Sequence, residues 1–322
     1  MKTKLPLLFL TLSLLLSGCN GFTTSTPTPT SHPLEVVPSL PPTETATVTP
    51  TFTPTPTLTP QPTPTSTRVA QGPGLVTVPI LLYHHIQATD YFSRYRVPPE
   101  RFEQQMKLLH DWGYETITTE LLVKAITEGA DLPPRPILIT FDDGDVDVYE
   151  NAFPIMEKYG FKGVFYLVSN FVGQPNYISV EQVQEMAAAG WEIGSHSMNH
   201  TDLVQVPDNQ RAEIVESKEQ LESLLGVPVK TFAYPFGKAG SATVDYVRFA
   251  GYIAAMGLGY TTEQGKGNLF FLQRWEVQSN FDIKAFIGYL PWDGDPAFIP
   301  TDVPLATPVP GVTPTESGTL IP

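Results

Sequence analysis

Two short stretches hold side chains whose types and spacing could do chemistry. In "ILITFDDGDVDVYENAF", residues 137–153, an apolar run from Ile137 to Phe141 ends in two adjacent aspartates, Asp142 and Asp143, followed by Gly144. In "HSMNH", His196 and His200 stand four apart, and one helical turn would bring both imidazoles to the same side. Two histidines and one carboxylate suit a borderline divalent metal, zinc first, with cobalt or nickel as alternatives. Taken singly, each signal is weak. An Asp-Asp-Gly run is often only a turn, and two histidines at this spacing are often only surface residues. Together they fit a metal held by Asp143, His196 and His200. That also gives the adjacent aspartates separate tasks. With Asp143 neutralised at the metal, Asp142 is free to take a proton from a water whose pKa the dication lowers from about 15.7 to about 7. Gly144 lets the backbone turn sharply off the strand.

The elements that would position these residues can be read from periodicity. "PPERFEQQMKLLHDWGY" places Phe102, Met106 and Leu109 on one helical face and stops at Gly113. "YETITTELLVKAITEG" and "SVEQVQEMAAAG" begin with Thr and Ser caps, and "NQRAEIVESKEQLESLLG" reads as one long amphipathic helix. Between the helices lie short apolar runs: "ILLY", "RPILITF", "KGVFYLV", "WEIGSH", "VKTFAYP", "YIAAMG" and "LQRWEV". Strand and helix alternate about seven times, which predicts βα units and a parallel sheet. A distorted (β/α) barrel is the economical closure, and its chemistry belongs at the C-terminal ends of the strands. His84 follows "ILLY", the two aspartates follow "ILITF", His196 follows "WEIGS", and Tyr234-Pro235-Phe236-Gly237 follows "TFA".

The chain has 322 residues, 33 prolines, one cysteine and a net charge of −14. That charge, with no basic stripe, argues against a nucleic-acid partner. Thr, Pro and Ser dominate residues 20–75 and again 299–322, which predicts an extended linker and tail. Residues 76–298 remain for one folded domain. Residues 1–19 read as a secretion signal, with two early lysines and an apolar run from Leu5 to Leu16. Leu16-Ser17-Gly18-Cys19 resembles a bacterial lipobox, which would make Cys19 the site of lipidation and explain a lone cysteine in an exported chain. The expectation is a monomeric domain tethered by lipid to the outer face of the cell membrane, with the domain extracellular.

"TFDDG", "HSMNH" and "FAYPFG" resemble, in order and spacing, the first three motifs of the polysaccharide deacetylases, the NodB-homology carbohydrate esterases. The resemblance covers about residues 76–277. It implies a distorted (β/α) barrel and a divalent metal held by Asp143, His196 and His200. It also implies Asp142 as general base in the hydrolysis of N-acetyl groups on an acetylated polysaccharide. Two departures follow. The family's acid is a histidine near the C-terminus, but His200 is the last histidine here. "ILLYHHI" instead resembles the circularly permuted, exopolysaccharide-deacetylating branch, which makes His84 the acid, with His85 turned away by strand alternation. The arginine that usually opens the third motif is replaced by Ala233, and Arg274 in "QRWEV" is the candidate to orient the base. Tyr234, Pro235, Phe236 and Gly237 would line the substrate groove, a backbone N–H near Phe236 helping to hold the oxyanion. Two other readings stand beside this one: an O-acetyl esterase of xylan-like polymers, and a non-catalytic glycan-binding module on a decayed barrel.

Overall fold

The structure, a computed structural model, describes residues 67–301. Seven parallel strands form its main sheet: β1 (Ile80–Tyr83), β2 (Pro136–Phe141), β3 (Val164–Leu167), β4 (Glu192–Ser195), β5 (Thr231–Ala233), β6 (Ala254–Met256) and β7 (Trp275–Glu276). Their order is β6-β5-β4-β3-β2-β1-β7, so the first and last of these strands are neighbours, with Trp275 opposite Leu81. A two-residue strand, Glu115–Thr116, pairs with the start of β2. The segment leading into β7 also reaches back to β6. Leu272 N–H donates to Ala255 at 2.8 Å, and Gly257 N–H donates to Leu272 at 2.9 Å. These bonds curl the sheet round on itself into the expected distorted (β/α) barrel.

The strands are apolar on both sides because both sides are covered. All six residues of β2 are buried. Leu138, Val164, Tyr166, Ala233 and Met256 pack together on the inner face, whereas Ile137, Ile139, Phe141, Phe165 and Phe232 pack outward among the helices. Gly194 in β4 makes room for Tyr166: a Cβ there would sit 2.3 Å from the tyrosine ring.

The helices follow the sequence signals closely. Helix α1 (Pro99–Asp111) buries Phe102, Met106 and Leu109, and Gly113 leaves it with a φ of 70°. Thr118 caps α2 (Thr119–Thr127) through its side chain, and Ser179 with Gln182 forms a capping box on α3 (Val180–Ala188). The long helix expected over residues 209–226 is found as two joined pieces. A wide-turned segment, Arg211–Glu216, runs into α4 (Ser217–Leu225), with Ser217 N–H reaching back five residues to Ala212. Such widened turns recur at functional sites, and this one carries a fully buried glutamate, Glu213.

Val69–Gln71 pairs antiparallel with Ala130–Leu132, so ordered structure begins before the expected boundary at residue 76. Among the described residues no helix is long and apolar enough to cross a membrane. The expected signal, Cys19, most of the linker and the tail beyond residue 301 lie outside the described residues.

Candidate active site

The inward alternation of the strands decides which polar residues enter the mouth of the barrel. On β2, Leu138 and Thr140 face inward, and Asp142 continues that face one step past the strand end. On β1, Ile80 and Leu82 lead in the same way to His84. Registration brings the two ends together, with Tyr83 opposite Phe141 and Asp142 N–H donating to Tyr83 at 3.0 Å. Asp143 should then face outward, but its φ of 77° takes it out of the strand. Its carboxylate swings across the mouth to the histidines. Asp143 Oδ1 lies 3.5 Å from His196 Nε2 and 3.4 Å from His200 Nε2.

Asp143, His196 and His200 form the one cluster of three potential ligand side chains among the described residues, their ligand atoms all within 4.8 Å of one another. Two features fit a metal. Asp143 Oδ1 is buried with no hydrogen-bond partner. His196 commits Nδ1 to the Ala233 carbonyl at 2.8 Å, which leaves Nε2 as the free donor atom. Burial, reinforced by the neighbouring His196, lowers the His200 pKa to about 4, so this ring is neutral at neutral pH, as a ligand must be. Burial opposes charge on Asp143 as well, but the histidines around it outweigh burial and hold its carboxyl below the usual range.

His196 and His200 are not on a helix. Residues 196–200 form a loop in which Ser197 and His200 have φ values of 71° and 58°. Side chains hold this loop instead of helical backbone bonds. Ser197 Oγ accepts from His200 N–H at 2.9 Å. Glu213 Oε2 accepts from both Met198 N–H and Asn199 N–H at 3.0 Å, and its Oε1 accepts from Asn199 Nδ2 at 2.8 Å. Nothing in the sequence marks Glu213 beyond a charged residue within a predicted amphipathic helix.

Asp142 is 2 % exposed, and Arg274, from the entry to β7, is 1 % exposed. The guanidinium grips the carboxylate with two hydrogen bonds of 2.7 Å each. Two further N–H groups donate to the Gly257 carbonyl at 3.1 Å and to Thr140 Oγ1 at 3.2 Å. Burial alone would raise the Asp142 pKa; Arg274 first, then His196, reverse this and keep it low. The arginine that grips Asp142 thus arrives from a different strand than Ala233.

A cavity of about 310 Å³ is walled by His84, Asp142, Asp143, His196, His200 and Arg274. His84 meets the Tyr95 ring edge-on at 4.8 Å, and its Nδ1 is buried without a partner. Burial lowers its pKa, while the carboxylates of Asp143 and Asp142 pull the other way. Phe236, Gly237 and Tyr234 line the same cavity; Pro235 does not. Tyr234 is largely a core residue, its hydroxyl donating to Phe270 at 2.9 Å. Phe236 is 47 % exposed, has a φ of 59°, and sets its ring edge-on to His200 at 4.7 Å. A wider groove of about 990 Å³ adjoins the first, and His85, Asp143, His200 and Phe236 line both. His85 is therefore not turned away. β1 ends at Tyr83, and His85 opens a separate two-residue strand paired with Arg96–Val97, so alternation does not carry through to it.

Residues 129–255 match the family model described as polysaccharide deacetylase. The Bacillus subtilis protein YxkH, named for the polysaccharide deacetylases, is 32 % identical over 218 residues, 66 % of this chain and 76 % of its own length. A poly-beta-1,6-N-acetyl-D-glucosamine N-deacetylase of Staphylococcus aureus is 27 % identical over 204 residues, 53 % of this chain and 68 % of that one. The solved structure of Streptococcus pyogenes deacetylase PplD in complex with acetate superposes with a TM-score of 0.60 at 26 % identity, covering 70 % of this chain and 99 % of that chain. The segment matched by the family model contains Asp142, Asp143, His196 and His200 but stops short of both His84 and Arg274.

Proposed function

The chain belongs to the polysaccharide deacetylase family, hydrolases of carbon–nitrogen bonds, and on that premise we propose that it removes N-acetyl groups from an N-acetylglucosamine-containing polysaccharide in a metal-dependent reaction. The observation that carries this reading is the buried Arg274–Asp142 pair beside the Asp143–His196–His200 cluster. It keeps an ionised base next to three convergent ligand atoms. When bound there, a divalent cation, zinc first, supplies Lewis acidity that lowers the pKa of water. Asp142 accepts the proton of the attacking water, and Arg274 fixes which carboxylate lone pair faces it. The backbone N–H of Phe236 donates to the oxyanion that forms at the acetyl carbon. His84 delivers a proton to the leaving amine, which departs poorly as an anion.

A decayed barrel that only binds glycan would have lost a ligand, the base or the acid, and here all five side chains stand around one cavity. The deciding experiment is acetate release from a panel of N-acetylglucosamine oligomers and O-acetylated xylan oligomers. Release from the first set alone supports the proposal. Release from the second alone makes the protein an esterase.

The lipobox-like sequence supports a second part of the proposal. Residues 1–19 act as an export signal, Cys19 carries a lipid, and the linker tethers the catalytic domain outside the cell membrane. Cys19→Ala should move the protein from the membrane fraction to the soluble one with its activity intact. A variant still sedimenting with membranes would rule out the anchor.

A further inference from the structure

His85 is held more firmly than a space-filling side chain needs to be. Its Nδ1 lies 2.7 Å from Asp147 Oδ2. The other oxygen of Asp147 accepts from Ile86 N–H at 2.9 Å, and Asn151 Nδ2 donates to the Ile86 carbonyl at 2.8 Å. Asp147 is nearly buried, so one carboxylate both pins the backbone after His85 and sets the angle of its ring. Once Nδ1 is committed, Nε2 is the nitrogen left over, and it has no hydrogen-bond partner among the described residues. The side chain is 18 % exposed and lies where the chemical cavity opens into the groove.

That groove has about three times the volume of the chemical cavity, 990 Å³ against 310 Å³. Its walls mix two tyrosines, Tyr91 and Tyr177, with Asn176, Arg96 and acidic residues. Aromatic faces among polar donors and acceptors suit sugar rings. A space this large beside the acetyl-cleaving centre suits more of the polymer rather than more of the reacting unit. Burial works against a charged His85, but the hydrogen bond to Asp147 and the charge of Asp145 outweigh it and favour the protonated ring.

We propose that His85, oriented by Asp147, is a specificity-determining residue that donates from Nε2 to an oxygen of the sugar unit adjoining the one being deacetylated. The inference rests on the deacetylase reading above and deepens it: the substrate is a chain of at least two units, and His85 is one of the groups that recognises it as a chain. It differs from an acid role, because the donated hydrogen bond holds a spectator sugar and no proton leaves His85 during turnover.

The test compares kcat/KM for an N-acetylglucosamine pentamer and for the single-unit methyl glycoside. In the zinc-loaded protein, His85→Ala should lower the preference for the pentamer by roughly ten- to hundredfold, the value of a charge-assisted hydrogen bond. Most of the change should appear in KM. His85→Gln, whose amide nitrogen can stand in for Nε2–H, should recover part of that preference. Equal losses on both substrates, or a loss confined to kcat, would assign His85 to the chemistry or to the fold and overturn the proposal. So would a pentamer preference that survives His85→Ala, or one that His85→Gln does not improve over alanine. If the unsubstituted enzyme releases acetate from neither substrate, the deacetylase reading itself fails and takes this inference with it. That outcome is seen before any variant is made.

Discussion

The histidines on the two sides of the barrel mouth are held in opposite ways. On the β4 side, His196 ties its Nδ1 to the Ala233 carbonyl at 2.8 Å, and Glu213 and Ser197 hold the loop that carries His200. On the β1 side, His84 leans on Tyr95 and leaves Nδ1 buried and unpaired. The tasks proposed for them explain the difference. A metal ligand must present the same lone pair throughout, so its second nitrogen is best locked. An acid must lose and regain a proton, and a ring whose other nitrogen is uncommitted can change its protonation state without breaking a strong bond. The two aspartates divide similarly. Asp142 continues the strand and is gripped by Arg274. Asp143 is itself left-handed, which takes it off the strand, and its carboxylate lies against His196 and His200.

Substitutions can break this contrast from either side. Leaving the metal ligands aside, the largest effects should come from the two residues proposed to transfer protons. Asp142→Asn should keep the metal and lose about 10²–10⁴-fold in deacetylation rate, since the amide cannot accept the proton. His84→Ala should cost a similar 10²–10⁴-fold on N-acetylglucosamine oligomers but far less on an activated aryl acetate, whose leaving group needs no proton. Both variants should retain full metal content in elemental analysis. Metal loss in either would show that the two sides are not separate.

A smaller effect should come from Glu213. Its four oxygen lone-pair sites face donors only, so Glu213→Gln must turn an N–H₂ group toward one of them. The 197–200 loop should loosen, and zinc affinity measured against a competing chelator should fall about 10–100-fold, as it does when groups supporting a ligand are removed. An unchanged affinity would mean that the loop keeps its shape without Glu213.

Much of this site could be read from the chain. The apolar run into Asp142, the spacing of His196 and His200, and the strand ending at His84 are local patterns, and short-range rules suffice for them. The contact between Arg274 and Asp142 was within reach because the motif around Ala233 lacked its arginine and a later strand carried one. What the sequence concealed was set by tertiary contacts. The positive φ values of Asp143, Ser197 and His200 belong to non-glycine residues that local propensity would not place there. The helical turn expected for residues 196–200 gave way to a loop because Glu213, distant in the chain, supplies the acceptors that a helix would have supplied from its own backbone. His85 was assigned to the wrong side because alternation was extended past the point where the strand ends.

The central claim is that Asp143, His196 and His200 hold a catalytic divalent metal for deacetylation. Acetate release from an N-acetylglucosamine pentamer should be followed for the protein as purified, after exhaustive chelation, and after return of one equivalent of zinc, in parallel with His200→Ala. The account predicts that chelation abolishes release, that zinc restores it in the unsubstituted protein, and that zinc neither binds tightly nor restores release in the variant. Acetate release that persists at full rate in the chelated protein, or a His200→Ala variant that recovers with one equivalent of zinc, would contradict it.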